Sequence, residues 1–288
     1  MALDQRIIDL YDEYTHKPLA RRTFLERLSV LAGSPVAVAA ALAALEPNYA
    51  RAALVPENDP RIVTERVQKA VDSVEIAGYL AYPKDGGRWP AVIVFHENRG
   101  LNPHIEDVAR RLAASGFLAL AGDFLLPLGG TPRDSDAARE LVAKLPGETV
   151  VRQASAMLTF LQGNEHSNGK VGAVGFCWGG GMVNIFAVRE PRLGTGVAFY
   201  GVAPPVDAVP RIKAPMLLHY AGLDTRVNAG ISAYDAALRA AGTPHEIYVY
   251  EGVNHAFHND TSAERYDKAA AALAYDRTVA FLNRYLGG

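Results

Sequence analysis

One cysteine in 288 residues means that the chain holds no intrachain disulfide, and thiol usage leaves its redox compartment open. An excess of either charge is also missing: 29 Lys and Arg stand against 31 Asp and Glu, a formal net charge of −2, with no sustained basic run. Neither nucleic acid nor an acidic membrane surface is therefore expected as a partner, and a small, nearly neutral molecule is the simpler expectation. No apolar stretch is both long and uninterrupted enough to span a bilayer, so membrane insertion is not expected either. There is no internal repeat, no low-complexity linker after residue 65, and nothing that sets an oligomeric state. What the chain does have is 49% apolar residues over a length that suits one large core or two modest ones.

The first 62 residues read differently from the rest. Arg21 and Arg22 precede Phe24 and Leu25 and an alanine-rich apolar stretch ending near Leu45, which resembles a twin-arginine export signal with Ala50 and Ala52 as small residues at a cleavage position. Against that stand Asp4, Asp9, Asp12 and Glu13 in a long leader, the acidic Glu26, and Ser34-Pro35 interrupting the apolar run. The same residues suit three retained helices, from about 3 to 14, from about Arg22, and after Pro35. We take the retained helical extension, with a cytoplasmic location, as the expectation and periplasmic export as the alternative.

Residues 63–288 alternate between strand and helix patterns. "SVEIAGYLAYP" reads as an early antiparallel strand, and "AVIVF", "FLALAGDF", "KVGAVGF", "GVAFYG", "PMLLHYAG" and "HEIYVYEG" read as buried strands. Between them lie "HIEDVARRLAASG", "ETVVRQASAMLTFLQG" and segments near 179–189 and 230–241 with helical spacing, and a helix of about twenty residues ends the chain. The pattern implies an α/β fold, a mostly parallel sheet with helices on both faces.

The single cysteine falls where the strand "KVGAVGF" gives way to a helix. In "GFCWG", Gly175 and Gly179 frame Cys177 as a G-x-nucleophile-x-G turn, a tight bend that aims the central side chain outward. A helix N-terminus favours negative charge, and so a thiolate. The usual alternative is a buried, inert cysteine. A nucleophile needs a base, and the base needs an orienting group. In hydrolases of this architecture the order along the chain is nucleophile, acid, histidine, each beyond a strand end. Asp224 follows "PMLLHYAG" and His255 follows "HEIYVYEG", so all three fall at the C-terminal edge of one sheet. Taken singly, Asp224 also reads as a turn cap and His255 as a solvated loop residue.

With "GFCWGG", "AGLDTRV", "GVNHAF" and "VIVFHENRGLN", the chain from about residue 65 onward resembles the dienelactone hydrolase family of α/β-hydrolases. The resemblance implies hydrolysis of an ester or lactone through an acyl-enzyme on Cys177, with His255 and Asp224 as partners and no cofactor. It also implies that Glu97, matching the family glutamate, holds the resting thiol's proton; pairing with Arg99 is the simpler alternative. The backbone N–H groups of Trp178 and Asn98 are the expected oxyanion hole.

The sequence departs from the family where carboxylate-binding arginines are expected. Leu or Pro stands at the first position, with Arg133 the nearest arginine and a candidate substrate contact, and Asn259 stands at the second. Trp178 and Phe257 suggest an aromatic wall to the substrate site. Two other readings stand beside this one. His255 and His258 have H-x-x-H spacing, but without evident further ligands no metal is expected; a non-catalytic α/β-hydrolase-fold binding module is the remaining alternative.

Overall fold

The computed structural model describes residues 3–17, 19–49 and 53–287, so Ala50 and Ala52 lie outside the described residues. Three helices come first: α1 (Gln5–His16), α2 (Arg21–Ala32) and α3 (Pro35–Leu45). Asp4 caps α1 by accepting the Arg6 N–H at 2.9 Å, and Ser34 caps α3 by accepting the Ala37 N–H at 3.2 Å. Gly33, at φ 75°, ends α2, and α2 and α3 meet at a bend of 115°. The three helices share a small core in which the rings of Tyr14 and Phe24 stack at 4.3 Å beside Tyr11, Leu28 and Leu45. Among the described residues, no single helix is long and apolar enough to cross a membrane.

The remainder runs β1 (Ile62–Val71), β2 (Val74–Pro83), β3 (Trp89–Phe95), α4 (Pro103–Ala114), β4 (Leu118–Gly122), α5 (Ser135–Lys144), α6 (Gly147–Gln162), β5 (Ser167–Phe176) and α7 (Trp178–Arg189). It continues through β6 (Thr195–Phe199), β7 (Met216–Ala221), α8 (Thr225–Asn228), α9 (Ile231–Ala241), β8 (His245–Tyr250) and α10 (Lys268–Leu286). All eight strands form one sheet in the order β1-β2-β4-β3-β5-β6-β7-β8. The pairs β1–β2 and β2–β4 are antiparallel, and the other five are parallel. Helices α4 and α10 cover one face through Ile105, Leu112, Ala274 and Phe281, while α6, α7 and α9 cover the other through Met157, Phe186 and Tyr234. This is the expected doubly covered α/β-hydrolase sheet.

Three elements escaped the sequence reading, one of them the four-residue helix α8. Strand β1, "IVTERVQKAV", is an edge strand paired on one side only, and Glu65, Arg66, Gln68 and Lys69 leave it without a buried apolar run. Helix α5 lies in what reads as a long polar loop, and only Ala138 and Val142 of it are buried.

The parallel strands place their C-terminal ends on one edge, and α1 lies across it. Thr15 O accepts the Asn98 side-chain N–H at 2.7 Å, Tyr11 Oη accepts from Arg99 at 2.9 Å, and Arg265 donates to Asp12 at 3.3 Å. Arg21, the first of the paired arginines, meets Glu46 and Asp136.

A buried ionic network anchors the segment after β8 to α4. Asp107, fully buried, accepts the Val55 N–H at 2.9 Å and the Arg111 Nε–H at 2.6 Å; Arg111 also reaches Asp260 at 2.6 Å, and His104 donates to Asp260 at 2.9 Å. Removing one member of such a network strands the remaining charges away from water. The Asp107→Ala variant is therefore expected to lose about 3 kcal/mol of unfolding free energy, read from urea denaturation. Burial would raise the Asp260 carboxyl, but the His104 hydrogen bond and the Arg111 charge hold it at about 2 against an ordinary 3.8. A depressed folded value means stability present above about pH 4 and lost as pH falls through about 2. Denaturation curves at successive pH values should show Asp260→Asn losing less stability on acidification than the parent chain; equal losses would exclude Asp260 as the source.

Candidate active site

Cys177 stands between β5 and α7 with φ 55° and ψ −117°, a backbone region that side-chain-bearing residues rarely enter. Close approach enforces it. A Cβ at Gly179 would collide with the carbonyl oxygens of Phe95 and His96, and one at Gly175 with the carbonyl of Gly179, so α7 can begin against the ends of β3 and β5 only with glycine at both places. The turn is fastened by Cys177 N–H to Phe199 O at 3.0 Å and Gly181 N–H to Cys177 O at 3.1 Å.

The sulfur is not exposed as the turn alone suggests. Cys177 is 7% accessible because His16, the last residue of α1, places Nε2 3.0 Å from Sγ. His16 Nδ1 lies 2.8 Å from the Asp12 carbonyl oxygen, which can only accept, so Nδ1 carries the hydrogen and the Nε2 lone pair faces the sulfur. Burial, with the charges of His255 and Arg226, pushes the His16 imidazole well below its ordinary value and keeps it neutral.

Asp224 and His255 meet as the chain order suggests. His255 Nδ1 is 2.5 Å from Asp224 Oδ2, and Asp224 Oδ1 also accepts the Val227 N–H at 3.1 Å, so the aspartate both caps α8 and orients the ring. Burial acts to raise Asp224, but the His255 hydrogen bond and charge, the Val227 N–H and Arg226 together hold it at about 2. Burial opposes charge on His255 too, yet the adjoining Cys177 and Asp224 outweigh it and raise the ring to about 10. His255 Nε2 is buried and has no hydrogen-bond partner, and the ring meets that of His16 edge-on at 4.6 Å. One donor atom each from His16, Cys177 and His255 lies within 4.8 Å of the others. His258 is outside this group, packed against Phe176 and Phe199, so the H-x-x-H spacing does not bring its two rings to one center.

Glu97 is buried, and it pairs with Asn259 rather than Arg99: Asn259 Nδ2 donates to Oε2 at 2.6 Å, while Oε1 has no partner. Asn259, at the position where the resemblance implies an arginine, thus holds Glu97. Trp178 opens α7 with its ring stacked on His96 at 5.0 Å, and Asn98 borders the sulfur's surroundings with its side chain turned to Thr15. Two cavities reach Cys177. One, of about 310 Å³, is mainly apolar, with Trp178, Met182, Ile185 and Val202 in its wall and Arg226 as its cation. The other, of about 20 Å³, lies among His16, Glu97, Asn98, Cys177, His255 and Asn259.

Two expected substrate contacts are corrected. Arg133 is exposed and borders a separate depression with Arg21, Glu46 and Asp136, because the loop after β4 turns away from the sulfur into α5. Phe257 is fully buried in the core against Tyr200 and Tyr250, so its ring forms no wall of either cavity. The residues missed were His16 and Arg226. The first lies 161 positions from Cys177 with no local signal to join them, whereas Arg226 sits within "AGLDTRV", two places after the aspartate.

Comparison with known proteins identifies the family. The family model described as "Dienelactone hydrolase family" matches residues 76–286, and one described as "YqhI-like" matches residues 2–33. A Methylorubrum extorquens protein provisionally named carboxymethylenebutenolidase is 34% identical over 259 residues, covering 85% of this chain and 88% of its own. A crystal structure from Klebsiella pneumoniae, provisionally named dienelactone hydrolase, superposes with a TM-score of 0.70 at 29% identity, covering 78% of this chain and 99% of that one. A fungal esterase structure from Rhizomucor miehei shares the fold alone, at 12% identity and a TM-score of 0.65, over 99% of this chain and 98% of that one. The chain belongs to the dienelactone hydrolase family and is a hydrolase of carboxylic ester or lactone bonds.

Proposed function

We propose that Cys177, His255 and Asp224 form a nucleophilic triad that opens a small ester or lactone through an acyl-enzyme. The observation that carries this reading is the 2.5 Å contact between Asp224 and His255, which leaves His255 Nε2 buried, without a partner, beside a cysteine on a strained turn. The Cys177 thiolate attacks the carbonyl carbon and a C–S bond forms. Charge develops on the carbonyl oxygen, where the N–H groups of Trp178 and Asn98 are the expected donors. As the C–O bond breaks, His255 gives its proton to the departing alkoxide, which in a lactone stays tethered to the acyl group. Water then yields a proton to His255, its oxygen attacks the acyl carbon, the C–S bond breaks, and the thiolate returns.

The 310 Å³ cavity supports a substrate with a compact apolar body, held by Trp178, Met182 and Ile185. Glu97 Oε1 supports a part for that carboxylate as the resting acceptor of the thiol proton, although in this conformation His16 Nε2 faces the sulfur.

Hydrolysis of 4-nitrophenyl acetate and of a panel of lactones tests the triad. Cys177→Ala is expected to abolish turnover with an unchanged circular dichroism spectrum, and Asp224→Asn to lower kcat by roughly 10⁴-fold, as in comparable triads. Undiminished hydrolysis by Cys177→Ala would sink the assignment.

A further inference from the structure

The group His16, Cys177 and His255 has a second chemical capacity that the hydrolytic mechanism does not use. Both imidazoles hold Nδ1–H away from the sulfur, which leaves Nε2 as the ligating atom: His16 offers a lone pair there already, and His255 does so once a metal ion displaces its Nε2 proton. His16 donates Nδ1–H to the Asp12 carbonyl at 2.8 Å, and His255 donates Nδ1–H to Asp224 at 2.5 Å. Each therefore turns Nε2 toward the sulfur, one through a backbone-carbonyl contact and the other through a carboxylate contact, the two outer-sphere arrangements typical of metal-bound histidine. His255 Nε2 is buried and unpartnered, in a residue 2% accessible, and the three donor atoms lie within 4.8 Å of one another. Around a tetrahedral zinc ion with Zn–S of about 2.3 Å and Zn–N of about 2.0 Å, donor atoms stand roughly 3.3–3.6 Å apart. Shifts of about an ångström bring this group to that spacing.

The neighbouring space suits a fourth ligand. The 20 Å³ cavity has all three donors in its wall, enough room for one water. Glu97 Oε1, also without a partner, borders it and can accept a hydrogen bond from a metal-bound water.

We propose that His16, Cys177 and His255 form a binding site for a borderline-soft divalent cation, Zn²⁺ above all, which closes the catalytic sulfur reversibly. One sulfur and two imidazole nitrogens select zinc over magnesium or calcium. The ion accepts a lone pair from each of the three atoms, the one proton shared by the Cys177–His255 pair passes to solvent, and no electron is transferred. A sulfur so engaged shares its negative charge with the ion, sits behind two imidazoles, and is a weaker nucleophile toward a carbonyl. The site needs α1 in place, because one ligand comes from the helical extension and two from the sheet edge. Binding stands apart from the hydrolase reading, and only the loss of turnover rests on it.

Cobalt(II) reports the site without an activity assay. The full chain, freed of metal with chelator, is titrated with CoCl₂; the expected spectrum has a thiolate-to-cobalt charge-transfer band in the near ultraviolet and tetrahedral d–d bands in the visible. Cys177→Ser should lose the ultraviolet band, and His16→Gln should bind Co²⁺ and Zn²⁺ roughly tenfold more weakly or worse by isothermal titration calorimetry, with an unchanged circular dichroism spectrum. With 4-nitrophenyl acetate, about 10 µM ZnCl₂ should lower the rate at least tenfold, reversed by EDTA. Absence of the thiolate band in the parent chain, or equal affinity in His16→Gln, overturns the site. A thiolate–cobalt band with unaffected ester turnover keeps the site and overturns Cys177 as the nucleophile.

Discussion

The close packing of α7 against the ends of β3 and β5 governs the rest of the site. With Gly175 and Gly179 in contact distance of neighbouring backbone, the residue between them has no relaxed conformation available, and Cys177 takes φ 55°. Such backbone costs on the order of 1–3 kcal/mol and persists only where the surroundings fix it. Here β5 lies inside the sheet with a parallel partner on each side, and its last residues, Gly175 and Phe176, remain in register with β6 up to the bend. Strain is thus held from within the sheet, and what it secures is the position of one sulfur.

The groups beside the sulfur are fixed by different means. Asp224 serves at once as the cap of a short helix and as the anchor of an imidazole, so its two oxygens face different partners and the carboxylate has little freedom to turn. His255 lies in a segment without regular structure, and the buried charges of Asp107, Arg111 and Asp260 tie that segment to α4 on one face of the sheet. A loop histidine is thereby given the rigidity that a strand or helix would otherwise supply.

The strand-and-helix alternation from β2 onward was legible because buried parallel strands read as short apolar runs, and because Cys177, Asp224 and His255 each sit just past such a run. What the sequence did not reveal depends on contacts between distant segments. β1 is polar because it is an edge, and α5 is short and mostly exposed, so neither carries a strong periodic signal. Arg133 and Phe257 were placed near the site by their distance along the chain from motif residues, a measure blind to which way a loop turns. Burial of Cys177 was equally hidden: the bend points a side chain away from the sheet, but whether it then meets water depends on His16.

That dependence has a temporal side. Translation runs from the N-terminus, so the imidazole that shields the sulfur is made 161 residues before the sulfur itself. At about 5–20 residues per second the interval is roughly 8–30 s. During it the aromatic cluster of Tyr11, Tyr14 and Phe24 is already complete in sequence and free to gather. The Cys177 thiol thus emerges into a nascent chain whose shielding segment has been synthesised in advance.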